Sequence, residues 1–305
     1  MTMRFMFQYP ETHGADTDLL QAGGIGELAA ACERAGFEGF ALTEHPAPNA
    51  KWLAAGGHQT LDPFVALGGA ATVTSKIQLL TYLAVLPYRN PLLLAKAATT
   101  VDRLSNGRFI LGVGTGYLKA EYAALGVDFE ERLALFDEAL EVLPLHWSGK
   151  PFDYTGRHFT AKGIQAMPKP IRNPIPIWIG GNSKASRRRV AERAQGWMPM
   201  IAPAGVGDAL FKTVRTPAPG SPADTKAQIA EIKANAGARG SSLDFVMVYL
   251  DDTIRDPRRE ADRHREAFAG LSDIGFSWVV INRPTGSRSE MLDFLAAFGE
   301  TYLSE

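Results

Sequence analysis

The sequence predicts an α/β fold, a (β/α)₈ barrel with insertions on its C-terminal face, spanning residues 1–305 as one domain. Three observations predict it. Eight strand-like apolar runs alternate with eight helical patterns along 305 residues. Several of those runs are apolar almost throughout, as in strands buried on both faces of a parallel sheet. No shift in composition divides the chain, and its length suits one barrel. An open doubly wound sheet shows the same alternation, but a count of eight favours closure.

The elements follow in order. Arg4–Tyr9 reads as the first strand. In it Phe5, Phe7 and Tyr9 alternate with Met6 and Gln8, so one set faces the barrel interior. Ile25–Ala35 has helical spacing and holds the single cysteine, Cys32, which reads as a small packing residue and excludes a disulfide framework. A short G-F-E-G-F link leads into the strand Gly39–Thr43. Asp62-Pro63 and Asn90-Pro91 each put a capping side chain before a proline at the first helical position. They open helices Pro63–Val73 and Pro91–Leu104, with the strand Ile77–Val85 between them. Phe109–Val113 is the fourth strand, followed by the helix Phe129–Trp147. The remaining strands are Ile175–Gly180, Gly196–Ile201, Leu243–Leu250 and Ser277–Ile281. Their helices are Ala185–Ala194, Asp224–Ala238, Arg258–Leu271 and Ser289–Tyr302.

Two segments exceed the minimal repeat. Gly149–Pro176 carries a hairpin signal, D-Y-T-G-R-H-F-T, and then M-P-K-P-I-R-N-P-I-P. Pro203–Asp224 carries T-P-A-P-G-S-P. Both are expected on or near the catalytic face, as lids or specificity loops.

Composition narrows the function. Hydrophobic residues make up 46% and charged residues 21%, with a net charge of −1, so there is no basic footprint for nucleic acid. No apolar run approaches the roughly 20 residues that span a bilayer. The N-terminus lacks the features of a signal peptide, so a cytoplasmic protein without membrane partners is expected. The histidines have no metal spacing, and no metal is expected. No G-x-S-x-G elbow or lysine-bearing phosphate loop supports a hydrolase or a kinase.

Three constellations bear on chemistry. Gly112-Val113-Gly114-Thr115-Gly116 follows a strand, but the second strand and acidic residue of a dinucleotide fingerprint are missing. It reads better as a glycine strand end that a flat ring can approach. Ile179-Gly180-Gly181-Asn182-Ser183 runs into a helix start, an arrangement suited to anions, with Arg187, Arg188 and Arg189 close by. Thr43-Glu44-His45-Pro46 ends the second strand, where a histidine is well placed for proton transfer.

In this order, E-H-P, L-P-Y-R-N-P-L-L-L-A-K, D-R-L-S-N-G-R-F-I-L-G-V-G-T-G-Y, E-Y-A-A-L-G-V-D-F-E-E-R, P-I-W-I-G-G-N-S and G-W-M-P resemble the bacterial luciferase-like superfamily, in its coenzyme F420-dependent oxidoreductase branch. The likeness covers nearly the whole chain, by pattern only from Ala202 to Glu305. It implies a barrel that carries a deazaflavin or flavin at its top face. It also implies a non-prolyl cis peptide after the third strand, at Leu83-Ala84, with both residues behind the ring. His45 matches the family histidine, and Glu44 stands where some members have aspartate. Gly114, Thr115 and Gly116 match the cofactor-lining strand end. Gly180, Gly181, Asn182 and Ser183 match the phosphate turn. Tyr117 replaces an acidic residue found in sugar-phosphate dehydrogenases of the family, which disfavours that substrate class. Trp52 is expected over the substrate pocket.

The resemblance therefore implies hydride transfer between coenzyme F420 and a small organic substrate, with His45 and Glu44 as catalytic residues. An acidic cofactor tail would call for cations, for which Lys169, Arg172 and Arg89 are available. The first alternative is a reduced-FMN monooxygenase partnered by a flavin reductase. The second is a non-catalytic flavin-binding barrel. A homodimer is a further partner that the resemblance allows.

Overall fold

The structure, a computed structural model, describes residues 2–11, 18–201, 211, 216–283 and 286–304. Eight parallel staves close into a barrel: β1 (Arg4–Gln8), β2 (Gly39–Leu42), β3 (Gln78–Thr81) continued by β4 (Ala84–Val85), β5 (Phe109–Gly114), β8 (Ile177–Gly180), β9 (Gly196–Met198), β10 (Asp244–Val248) and β11 (Trp278–Asn282). Closure is carried by β1 against β11, with Phe7 opposite Ile281, and by β3 against β5, with Leu80 opposite Ile110. The long helices around them are α1 (Ile25–Ala35), α3 (Pro63–Val73), α4 (Pro91–Leu104), α6 (Arg132–Trp147), α7 (Lys184–Arg193), α8 (Pro222–Asn235), α9 (Ala261–Ile274) and α10 (Arg288–Phe298). The expected caps form: Asp62 Oδ1 accepts from the N–H groups of Phe64 and Val65, and Asn90 Oδ1 from that of Leu92.

Strand alternation divides the core into two layers. Met6, Leu80, Ile110, Trp178, Val246 and Trp278 fill the barrel interior. Phe5, Phe7, Phe40, Leu79, Phe109 and Phe245 point outward into the helical ring. The first strand thus resolves with Met6 inside and Phe5, Phe7 and Tyr9 outside. Each fully buried aromatic or aliphatic side chain contributes roughly 1.5–3 kcal/mol. Cys32 is buried in this outer layer, as its place in the α1 pattern predicts.

Four features depart from the expectations. The strand expected over Ile77–Val85 is interrupted, and its cis peptide lies at Tyr82-Leu83, one bond before Leu83-Ala84. The long helical region after β5 is three pieces: a short helix α5 (Lys119–Ala124), a 3₁₀ turn at Phe129–Glu131, and α6. Asp128, whose carboxylate accepts from the Glu130 N–H, sets the break.

The third departure concerns Gly149–Pro176. The predicted hairpin is present, as antiparallel β6 (Phe152–Thr155) and β7 (Thr160–Ile164). It follows α6 and precedes β8, so it is rooted at the N-terminal end of the barrel, opposite the catalytic face. It lies along α6, where His158 Nδ1 meets Glu138 at 2.7 Å and Nε2 meets Glu131 at 3.0 Å. Its proline-rich tail is tied to α4: Asp102 Oδ2 accepts from the N–H groups of Ile171 and Arg172, and Lys96 Nζ donates to the Met167 carbonyl. The physical reason is connectivity. In an alternating barrel a segment that follows a helix re-enters the bottom, and only one that follows a strand emerges on top. Of Pro203–Asp224, residues 203–210 and 212–215 lie outside the described residues.

The fourth departure is in the ends of elements. The ends of the last strand–helix units shift by one to four residues, with α8 opened by a capping box between Ser221 and Asp224. Among the described residues, no helix is long and apolar enough to cross a membrane, and no cluster of three or more His, Cys, Asp or Glu side chains is placed to hold a metal.

Candidate active site at the barrel mouth

Three consecutive staves supply one cluster above the barrel. β2 ends at Leu42, and the turn after it carries Glu44 and His45. The His45 N–H donates to Thr60 Oγ1 at 2.9 Å, which fixes the turn against the loop that closes this βα unit. A short helix, α2 (Ala50–Ala54), capped by Asn49, puts Trp52 beside the imidazole with ring centroids 4.5 Å apart. His58 meets the same ring edge-on at 5.0 Å. β5 runs out through Thr115 and Gly116 to Tyr117, whose hydroxyl lies 3.4 Å from His45 Nε2. α5, which follows, brings Glu121 to 3.1 Å from His45 Nδ1.

Glu121 has no solvent exposure. Its carboxylate also accepts from the Tyr88 hydroxyl at 2.9 Å and from the Ala47 N–H at 3.1 Å. Burial first, and then the neighbouring Glu121 carboxylate, push the Tyr88 hydroxyl far above its ordinary pKa. Tyr117 is pushed up in the same way, by burial and then by Glu121 and Glu11. Both phenols stay protonated at any physiological pH. A second carboxylate, Glu11, accepts from Gln8 Nε2 at 2.7 Å and faces His58 Nε2 at 3.6 Å.

Glu44 reaches across to the third stave. One carboxylate oxygen accepts from the Val85 N–H at 2.7 Å, and the other pairs with the Arg89 guanidinium. Burial raises its pKa, against the pull of Arg89 and the Val85 N–H. Glu44 therefore ties the end of β2 to the backbone that follows the cis peptide.

The third stave contributes Leu83 and Ala84. Ala84 is fully buried, whereas Leu83 is only partly buried and rests on the interior layer. A Cβ on Gly114 would lie 2.6 Å from Leu83 Cδ1, and a Cβ on Gly180 2.3 Å from Leu83 Cδ2. The structure therefore brings together three residues that the sequence places far apart. The missing side chains of Gly114 and Gly180 make room for Leu83. A Cβ on Gly116 would likewise meet Val85, at 2.5 Å. Thr115 uses its carbonyl to accept from the Tyr122 hydroxyl.

The glycine turn after β8 is ordered around Asn182. The Asn182 side chain donates to the carbonyls of Met200 and Pro217 and accepts from the Met200 N–H. Gly181 allows this with φ of +107°. Ser183 caps α7 by accepting from the Ser186 N–H. The three arginines expected to help bind an anion are paired within the protein. Arg187 donates to Glu231 and to the Asn182 carbonyl, Arg189 grips Asp137 with two hydrogen bonds, and Arg188 faces Glu192. Nor do Lys169, Arg172 and Arg89 converge. Arg89 sits between Glu44 and Asp62, while Lys169 and Arg172 belong to the segment on α4.

The sequence singled out His45, Glu44, Leu83, Trp52 and Tyr117, which the structure places around the ends of β2, β4 and β5; it did not point to the contacts that Glu121, Tyr88, His58 and Glu11 make there. Glu121 stood in the E-Y-A-A-L-G block, and a glutamate on the buried side of a short helix was the available signal. Its partner His45 lies 76 positions away, and only closure of the barrel joins them.

Comparison with known proteins agrees with this architecture. Residues 3–296 match the family described as luciferase-like monooxygenase. An uncharacterized protein of Mycobacterium tuberculosis is 36% identical over 141 residues, which is 46% of this chain and 50% of that protein. The pyrimidine monooxygenase RutA of Enterobacter cloacae subsp. cloacae is 29% identical over 234 residues, covering 75% of this chain and 60% of RutA. The chain thus spans about half the length of the first of these curated relatives. Two solved structures share the fold along nearly their whole length. An F420-dependent secondary alcohol dehydrogenase in complex with an F420-acetone adduct superposes with a TM-score of 0.73 at 17% identity, covering 99% of this chain and 98% of that one. The oxygenating constituent of 3,6-diketocamphane monooxygenase from Pseudomonas putida, in complex with FMN, gives 0.72 at 14% identity with the same coverage. By the extent of the family match, the chain belongs to the luciferase-like monooxygenase family, whose members are oxidoreductases.

Proposed function

We propose that this protein is a coenzyme F420-dependent oxidoreductase that transfers a hydride between the deazaflavin and a small organic substrate, with His45 exchanging the accompanying proton. The observation that carries this reading is the His45 site itself. An imidazole at the end of a barrel strand, backed by a fully buried carboxylate and walled by Trp52 and Tyr117, is built to move a proton in a dry setting. Hydride transfer to or from a carbon–oxygen bond needs such a partner.

The residues present fit the cofactor. Leu83, seated in the space that side chains on Gly114 and Gly180 would fill, is only partly buried and would offer an apolar face on which a flat ring can rest. The turn Gly180–Ser183 would hold a phosphate through the N–H groups of Lys184 and Ala185 at the start of α7, the Ser186 N–H being taken by Ser183. Asn182 and Ser183 shape that turn through bonds already made within the protein. When bound, the cofactor supplies the two-electron hydride chemistry. The chain orients the ring, excludes water and moves the proton at His45. Glu44 supports the site by holding the Val85 backbone.

A second reading is kept because RutA, a pyrimidine monooxygenase, matches three quarters of this chain. In it the same barrel would hold reduced FMN and depend on a separate flavin reductase. Titration of the purified protein with F420 and with FMN, followed by visible absorbance, separates the two. F420 binding with reduction by a substrate, abolished in His45→Ala, is the expected result. Tight FMN binding without F420 affinity would overturn the proposal.

A further inference from the structure

We infer that Glu121 is a positioning residue that holds His45 as its Nδ1–H tautomer, so that Nε2, facing Tyr117, is the atom that exchanges the proton. The inference rests on the proton-exchange role given to His45 under the proposed function, and it goes beyond that role by fixing the atom and the residue that selects it.

The argument starts from what each group can donate. Three groups converge on Glu121: the Ala47 N–H on Oε1, and the Tyr88 hydroxyl and His45 Nδ1 on Oε2. A backbone N–H only donates. The Tyr88 hydroxyl, protonated because burial and Glu121 push its pKa up, has a carboxylate oxygen as its partner and donates too. An ionised carboxylate, which only accepts, satisfies both and leaves Oε2 to accept from His45 as well. The imidazole then carries its proton on Nδ1, because a lone pair there would face the lone pairs of a buried oxygen.

The other side of the ring agrees. The Tyr117 hydroxyl, held protonated by burial, can donate toward Nε2 at 3.4 Å. Nε2 is thus an acceptor on the neutral ring. It takes a proton when His45 acts as a base and returns it when His45 acts as an acid, while Nδ1–H stays with Glu121 throughout. The His45 N–H donates to Thr60 and the Ala47 N–H donates to Glu121, so the backbone on both sides of the imidazole is tied down and the ring has little freedom to present its other nitrogen.

The geometry also predicts what a near-isosteric change does. In Glu121→Gln the fixed Ala47 N–H keeps the amide oxygen at the Oε1 position. The amide NH₂ then occupies the Oε2 position and donates to His45, which forces the proton onto Nε2. An Nε2 that already carries a proton cannot serve as the base.

The test is ¹⁵N NMR of histidine-labelled, cofactor-free protein above neutral pH, with His45→Ala assigning the signal. The expected result is an Nδ1–H tautomer in the wild type and in Tyr88→Phe, and an Nε2–H tautomer in Glu121→Gln. Turnover of the holoenzyme falls roughly 100-fold or more in Glu121→Gln, as expected when a positioned base is lost. A purely structural Glu121 would leave the tautomer unchanged, so Nδ1–H retained in Glu121→Gln overturns the inference. So does Nε2–H in the wild type. If Glu121→Gln does not fold, the wild-type and Tyr88→Phe tautomers decide the matter. Because the NMR needs no cofactor, an Nδ1–H wild type that binds FMN and not F420 would defeat the cofactor reading and leave the inference standing.

Discussion

Leu83 occupies the space that a side chain on Gly114 would need: a Cβ there would lie 2.6 Å from Leu83 Cδ1. Gly114→Ala is therefore expected to push Leu83 out of place and to cost about 1–3 kcal/mol, the usual range for overpacking. Urea unfolding measures the loss, and cofactor titration of the same variant reports whether the displaced Leu83 also weakens binding. Gly114→Ala as stable as wild type would show that Leu83 moves freely.

Glu44→Gln isolates the tie between β2 and the backbone after the cis peptide. Glutamine can still accept from the Val85 N–H, but its NH₂ would then oppose the Arg89 guanidinium. The expected loss is roughly 2 kcal/mol, as for a hydrogen bond to a charged group. Cofactor affinity should fall with it if Val85 and Leu83 shape the ring site. Unchanged affinity would confine Glu44 to stability.

Glu33 offers a test of pH dependence. Burial acts to raise its pKa. The N–H groups of Ser75, Lys76 and Ile77 and the Ser75 hydroxyl outweigh it and hold the carboxyl at about 2, against an ordinary 4.5. A depressed carboxylate pKa adds stability that is fully present above pH 4.5 and lost as pH falls through about 2. With solvent screening the contribution is about 1 kcal/mol. Glu33→Gln should be less stable than wild type at pH 7, with the gap closing toward pH 2. A gap independent of pH would point to packing instead.

The hairpin should come loose from α6 without His158. Its ring lies between Glu138 and Glu131, and its N–H also donates to Glu138. His158→Ala is expected to speed proteolytic cleavage at residues 156–160 while leaving the melting temperature of the barrel within a few degrees of wild type. Mass spectrometry of the early fragments checks it. Cleavage as slow as in the wild type would mean that the β6–β7 pairing suffices.

The alternation of eight strands and eight helices, the proline-led helix starts at Asp62 and Asn90, the burial of Cys32 and the placing of His45 at a strand end were legible because each depends on near neighbours in the chain. Period, capping and turn chemistry act over a few residues. The root of the hairpin at the bottom of the barrel was not legible, since its own residues report only that they pair. The commitment of Arg187, Arg188 and Arg189 to protein carboxylates was hidden for a similar reason: two of the partners, Asp137 and Glu231, lie more than 40 positions away.

By itself the sequence determined the barrel, the order of its elements and the residue types at the strand ends, because hydrophobic period and turn residues are local properties. Only the tertiary structure decided that Leu83 lies between Gly114 and Gly180, and that Glu121 stands behind His45. Those contacts join residues dozens of positions apart. They exist because closing the barrel brings the ends of β2, β4, β5 and β8 together, and no local signal carries that information.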